Sequence, residues 1–169
     1  MRKLTRTIPS ATAMVFATLV FFVAGCVSTA APQTVQITDG DTIVLGKNTY
    51  RLWGMDAPEL AQVCTRKNGK LWACGKTAQR ELSALIADKP VQCHPIATDV
   101  YHRKIAKCYA GGTDLAQAMI ESGHAIALAT AYQKHESTAR NAKRGIWQGK
   151  FTTPRDWRAN HPKRGLRDE

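Results

Sequence analysis

Acid is scarce in this chain. Only 13 Asp and Glu stand against 24 Lys and Arg, a formal charge of +11, and that imbalance turns the protein toward polyanions such as nucleic acid or an anionic envelope surface. Composition does not choose between the two. Closely spaced cysteine pairs are also missing: Cys64, Cys74, Cys93 and Cys108 contain no C-x2–4-C spacing, which excludes the common structural zinc sites. The N-terminal apolar run, Ala11 to Gly25, is too short for a comfortable membrane span. No internal repeat or low-complexity segment is present, which leaves about 140 residues for one domain with a single core.

Residues 1–25 read as a signal peptide, with Arg2, Lys3 and Arg6 forming a positive start to the apolar run. Removing those three cations leaves +8, because the segment holds no acid. The run ends in Val23-Ala24-Gly25-Cys26. This resembles a bacterial lipobox, in which Cys26 would become a lipidated first residue and attach the protein to a membrane. A plain secretory cut near Ala30 or Ala31 is the alternative, and an uncleaved anchor is a third. Either processed form implies export: periplasmic, at the cell envelope as a lipoprotein, or secreted. Residues 26–33 then form a linker.

The four remaining cysteines suit an oxidising compartment. Cys93 and Cys108 are symmetric about Val100-Tyr101, which makes them cross-strand partners in an antiparallel hairpin. Cys64 is left to pair with Cys74, closing a short loop worth on the order of 3 kcal/mol. Four buried free thiols are the alternative.

Against the general shortage of acid, Asp39, Asp41, Asp56 and Glu59 crowd into Ile37 to Glu59 beside Arg51. Asp39-Gly40-Asp41 reads as a turn between the alternating runs Val35/Ile37 and Ile43/Leu45. A further strand, Thr49 to Met55, follows the Gly46-Lys47-Asn48 turn. Arg51 and Asp56 would face opposite sides of a straight strand, but Gly54 is a natural bulge that would bring both to one side. Pro58 stops the strand and aims Glu59. A hard-cation site is the simplest reason for this clustering: Asp41, Asp56 and one backbone carbonyl would leave room around Ca²⁺ for water and a substrate oxygen. The segment lacks the other ligand positions of an EF-hand, which excludes that loop. An ordinary Asp-Gly-Asp turn is the bland alternative.

Further along, Ala61 to Gly75 reads as a basic loop pinned by the first disulfide. The spacing of Ala78, Leu82, Leu85 and Ile86 predicts a helix with one apolar face over 76–86, ended at Asp88-Lys89-Pro90. Val91–Ala97 and Lys104–Tyr109 form the disulfide hairpin. Asp114 caps a second helix, with Gln117 reaching back in a capping box, and Gly123 ends it. Residues 135–147 read as a third, basic helix, and Trp147 and Trp157 as packing residues. Residues 151–169, with Arg155, Arg158, Lys163, Arg164 and Arg167, read as a mobile basic tail. The element order predicts a mainly β domain with α over 34–150: a five-stranded Greek-key barrel of the OB type with about three helices.

The ordered set Asp39-Gly40-Asp41-Thr42, Arg51, Asp56-Ala57-Pro58-Glu59, Asp99-Val100-Tyr101-His102-Arg103 and Gly145-Ile146-Trp147 resembles the staphylococcal nuclease, or thermonuclease, family over Val35 to Trp147. The resemblance implies one bound Ca²⁺, held by Asp41, Asp56 and the Ala57 backbone carbonyl. It implies that Glu59 orients or deprotonates the attacking water and that Arg51 and Arg103 hold the scissile phosphate. Tyr101 lies near the substrate phosphates, and Asp39, Thr42 and Asp99 support the site. The activity implied is hydrolysis of DNA and/or RNA by a monomer, leaving 3′-phosphorylated products. Two guanidiniums and a divalent ion suit the charge that builds on phosphoryl oxygens, so losing either arginine is expected to cost rate far more than stability.

The chain departs from the family pattern in three places. Ala57 stands where the type protein has Thr, His102 replaces the usual glycine, and Ala129-Thr130-Ala131 occupies the region of the base-packing tyrosines, leaving only Tyr132 nearby. Weaker base stacking is therefore expected. The competing readings are a noncatalytic OB module that binds nucleic acid and a basic envelope lipoprotein that binds anionic polymers.

Overall fold

The computed structural model describes residues 34–162. The expected signal peptide, Cys26, the expected linker 26–33 and residues 163–169 lie outside the described residues, so the lipidation and targeting expectations do too.

β1 (Val35–Ile37) and β2 (Thr42–Leu45) flank the Asp39-Gly40-Asp41 turn, and β3 (Asn48–Leu52) follows Gly46-Lys47. The chain then turns at Trp53-Gly54 before β4 (Met55–Asp56). Gly54 sits at φ +77°, and a Cβ there would lie 2.8 Å from the Tyr132 ring, so both backbone shape and space call for glycine. Two short strands follow, β5 (Cys64–Arg66) and β6 (Leu71–Trp72). Beyond them lie α1 (Cys74–Ile86), β7 (Val91–Thr98), β8 (Lys104–Ala110) and β9 (Thr113–Asp114). The described chain ends with α2 (Leu115–Glu121), β10 (Ile126–Ala127), α3 (Gln133–Asn141), β11 (Gly149–Lys150) and α4 (Pro154–Asn160).

The main sheet runs β1-β2-β3-β8-β7, with β9 on β8. Every pair in it is antiparallel except β3 with β8, where Arg51 lies opposite Ile105. Five strands make up this path, but it stays open at β1 and β7, so strand pairing among the described residues does not close the expected barrel. The Gly54 turn and Pro58, which has no N–H to donate, break the chain, and the remaining strands peel off into the small ladders β4-β10 and β6-β5-β11. Among the described residues the result is a mixed sheet with four α-helices, consistent with an OB-like arrangement.

Ile43, Leu52, Met55, Leu82, Leu115, Met119 and Ile120 fill the core. α1 buries Ala78, Leu82 and Ile86 on one face, as its spacing requires, and β8 buries alternate residues Ala106, Cys108 and Ala110. Both expected disulfides are present. Cys93 faces Cys108 across β7 and β8 with Cα atoms 4.1 Å apart, and Cys64 joins Cys74 at 5.6 Å.

Four local readings change. Residues 61–75 are not an irregular loop, because β5 and β6 pair within them. Asp114 caps α2 by accepting from the Gln117 N–H at 3.1 Å, but the Gln117 side chain donates forward to Glu121 rather than back to the cap. The third helix ends at Asn141, since Lys143 and Gly145 adopt φ of +53° and +51° and the chain resumes as a 3-10 turn, Gly145–Gln148. The fourth concerns the tail, where residues 154–160 are helical: Thr153 accepts from the Asp156 N–H, and Pro154 occupies the first turn. Trp147 packs edge-on against Phe151 in a small cluster with Cys64, Cys74 and Ile146, and Trp157 of α4 stacks on His161, just past the helix end.

Candidate active site

The site grows out of the first turn. Asp39 accepts from the Asp41 N–H at 3.0 Å, which tightens the turn and presents Asp41 beside β3. Antiparallel register places Thr42 opposite Arg51. Asp41 Oδ1 accepts from Thr42 Oγ1 at 2.9 Å and from Arg51 Nη1 at 2.8 Å, while Oδ2 accepts from the Ala57 N–H at 3.2 Å. The Gly54 turn brings Asp56 back to the same guanidinium, where Oδ1 accepts from Arg51 Nη2 at 2.5 Å. Arg51 thus bridges two carboxylates that are almost wholly buried, their side chains 4% and 2% exposed. Burial is the largest influence on Asp41. It pushes the carboxyl up to about 7 against the opposing pull of Arg51, and the Asp39 and Asp56 charges push the same way as burial.

Glu59 joins this cluster through a residue the sequence reading assigned to the tail. Arg158 Nη1 and Nη2 donate to Asp56 Oδ1 and Oδ2 at 3.0 and 2.9 Å, and Nη1 donates also to Glu59 Oε1 at 2.8 Å. Its hydrogen bond to Asp56 is the main reason the guanidinium is held still more firmly in its charged form. Gln62, fully buried, ties the same region to the chain leading into α4: its Oε1 accepts from the Glu59 N–H at 3.1 Å and its Nε2 donates to the Thr152 carbonyl at 2.7 Å. A Cβ on Gly75 would sit 1.7 Å from the Glu59 carbonyl oxygen, so α1 packs directly on the Glu59 backbone only because that position is glycine.

Arg103, Tyr101 and Asp99 form a second group at the tip of the β7–β8 hairpin. Asp99 accepts from the Tyr101 and Arg103 N–H groups, each at 2.9 Å, and from Arg103 Nε at 2.8 Å. Burial alone would raise its pKa, but these donors outweigh burial and lower it. Arg103 also lies over the exposed Tyr101 ring, 5.4 Å from its centre. His102 adopts φ +60°, the left-handed region that suits the glycine usual at this position. Lys104, next in the chain, pairs with Tyr50 beside Arg51. No hydrogen bond or ion pair among the described residues joins this tip to the Asp41, Asp56 and Glu59 cluster.

Beside Arg51 an open groove of about 390 Å³ is lined by Trp53, Gly54, Ile105, Leu128 and Ala129. Tyr132 is not free to stack on a base there: it is buried, with its hydroxyl donating to Asp114 Oδ2 at 2.8 Å. Trp53 lines the groove instead, its ring packed edge-on against Tyr132 and Lys107 Nζ 4.6 Å from its centre. Sequence reasoning missed Arg158, Gln62 and Trp53. Thr153-Pro154-Arg155-Asp156 carries an N-cap signal that could have revealed α4, but nothing local points to its docking. Among the described residues, no three His, Cys, Asp or Glu side chains gather as a ready metal cluster.

The fold and site define a small mixed-sheet domain in which buried carboxylates interlock with guanidiniums. The family is plain from comparison: residues 49–149 match the staphylococcal nuclease homologues, and the chain belongs to that family. The matched span contains Arg51, Asp56, Ala57, Glu59, Asp99, Tyr101 and Arg103; Asp39, Asp41 and Thr42 precede it and Arg158 follows it. The chain is also 35% identical over 118 residues to the succinoglycan biosynthesis protein ExoI of Rhizobium meliloti (strain 1021), a match covering 66% of this chain and 62% of that protein. It therefore spans less than two thirds of that relative's length. Family membership points to a nuclease-type or nucleic-acid-related function.

Proposed function

We propose that this protein is a Ca²⁺-dependent nuclease that hydrolyses phosphodiester bonds of DNA and/or RNA by attack of water. The observation that carries the reading is Arg51 locked between Asp41 and Asp56, with Glu59 one guanidinium away. Three carboxylates share two guanidiniums here, which leaves negative charge for a further cation once Asp41 is ionised. Asp41, Asp56 and the Ala57 carbonyl are hard oxygen donors, and water and substrate would complete the six to eight ligands Ca²⁺ takes. When bound, the ion supplies Lewis-acid stabilisation of phosphoryl oxygens. Arg51 offers the scissile phosphate the N–H groups that Asp41 and Asp56 leave free, and Arg103, delivered by the hairpin tip with Tyr101, supplies the second guanidinium. Glu59 orients the attacking water or takes its proton, and departure of the 5′ oxygen leaves a 3′-phosphorylated product. The groove beside Trp53 accommodates the neighbouring sugar and base.

The two disulfides support a site of action outside the cytoplasm, with the protein monomeric and either secreted, periplasmic or held at the envelope through Cys26. A second reading, a basic module that binds nucleic acid or an envelope polymer without turnover, is favoured by one observation: guanidiniums already fill the carboxylate cluster.

The test is degradation of single-stranded DNA, duplex DNA and RNA by the oxidised protein, in Ca²⁺ and in chelator, beside Arg51→Ala. Calcium-dependent cleavage abolished in the variant is expected. Salt-sensitive binding without cleavage would refute the nuclease and install the binding module.

A further inference from the structure

We propose that Arg158 is the site's resident cation: its guanidinium holds the side of Asp56 that a divalent ion shared with Asp41 needs, so docking of α4 and binding of the ion exclude one another. The inference rests on the calcium reading above and adds to it a residue from beyond the family-matched span.

Geometry carries the argument. Asp56 Oδ1 accepts from both Arg51 Nη2 and Arg158 Nη1, and Oδ2 accepts from Arg158 Nη2. Both oxygens of this carboxylate are therefore engaged, two of the three bonds coming from one planar fork. Glu59 Oε1 takes the same Nη1. Asp41 differs, since its partners are Arg51, Thr42 and the Ala57 N–H, none of them from α4. An ion bridging Asp41 and Asp56 would share Asp56 with the Arg158 fork at close range, and its charge would repel a guanidinium left beside it.

The helix is short and largely exposed. It has seven residues, too few to persist without packing. Its start is fixed by buried Pro154 and by Gln62 on the Thr152 carbonyl, whereas Arg155, Asp156, Ala159 and Asn160 face solvent. Beyond that start, the ion pairs of Arg158 are, among the described residues, the polar contacts that join α4 to the sheet domain.

Calorimetric titration of Ca²⁺ into the wild type, Arg158→Gln and Arg155→Gln tests this, together with amide exchange of residues 155–160 in the wild type with and without the ion. Arg155→Gln makes the same charge change on the exposed side of the helix. Arg158→Gln is expected to bind Ca²⁺ about tenfold more tightly than wild type, the scale of one charge-assisted hydrogen bond. Arg155→Gln is expected to change affinity by less than about twofold. Exchange in α4 should speed up when wild type is saturated. Equal affinities in the two variants, or α4 protection unchanged by saturating Ca²⁺, would overturn the proposal while leaving the calcium site standing. No binding heat in any of the three proteins would overturn the calcium reading itself, and this inference with it. Should Arg158→Gln fail to fold, the wild-type exchange experiment decides alone.

Discussion

Replacing Arg51 by alanine strands a buried carboxylate, and the cost depends on pH in a way the structure specifies. Removing one partner of a buried ion pair costs about 3–5 kcal/mol when the other must stay charged. Asp56 keeps Arg158, so the outcome is set by Asp41. Its carboxyl is already raised from 3.8 to about 7, with burial pushing it up and Arg51 opposing. Between those values the folded protein holds more protons than the unfolded chain. The Asp41 contribution to the stability of the metal-free wild type therefore falls as pH rises through this window, by about 1.4 kcal/mol per unit at the steepest, and flattens above it. Without Arg51 the folded carboxyl rises further, and the decline continues past neutrality. The two proteins should differ by about 1 kcal/mol at about pH 5, for the lost hydrogen bonds, and by about 3 kcal/mol at about pH 8.5. Urea unfolding in chelator at both pH values measures this, with unchanged m-values as the control. A separation that stays constant with pH would refute Arg51 as the counter-charge of Asp41. The result also bears on the expectation that arginine loss spares stability: burial of its partners gives Arg51 a structural role as well as a chemical one.

Gly75→Ala forces a methyl group against the Glu59 carbonyl, 1.7 Å away. It should cost about 3 kcal/mol in unfolding free energy and displace Glu59; a variant as stable and active as wild type would show that α1 does not pack there. Gln62→Leu leaves the Glu59 N–H and the Thr152 carbonyl without their partner. It should destabilise the protein by about 2–3 kcal/mol and speed amide exchange in α4, and unchanged exchange would contradict the link from Glu59 to the helix. Peptide mapping without reduction should recover Cys64 joined to Cys74 and Cys93 to Cys108. Replacing the second pair by alanines should lower stability by about 3 kcal/mol, and an effect near zero would show that the hairpin register holds without its bridge.

What could be read from sequence was governed by short-range rules. The Asp39–Asp41 turn, the reversal at Gly54, the apolar face of α1 and the cap at Asp114 each follow from residues within a few positions of one another. The hairpin that joins Cys93 to Cys108 is local too, because symmetry about one turn sets its register. Boundaries failed where backbone conformation overrode periodicity, as at Lys143 and Gly145, and barrel closure failed where Gly54 and Pro58 let short strands leave the main sheet.

Partner choice among the charged residues obeyed no such rule. Sequence by itself determined that acids and arginines would gather around the first turns, and that an Asp-Gly-Asp turn and a glycine reversal would point Asp41 and Asp56 toward Arg51. Only the tertiary structure decided that Arg158 reaches Asp56 from 102 residues away. An ion pair is settled by which groups lose water together, and that depends on how α4 docks on the sheet.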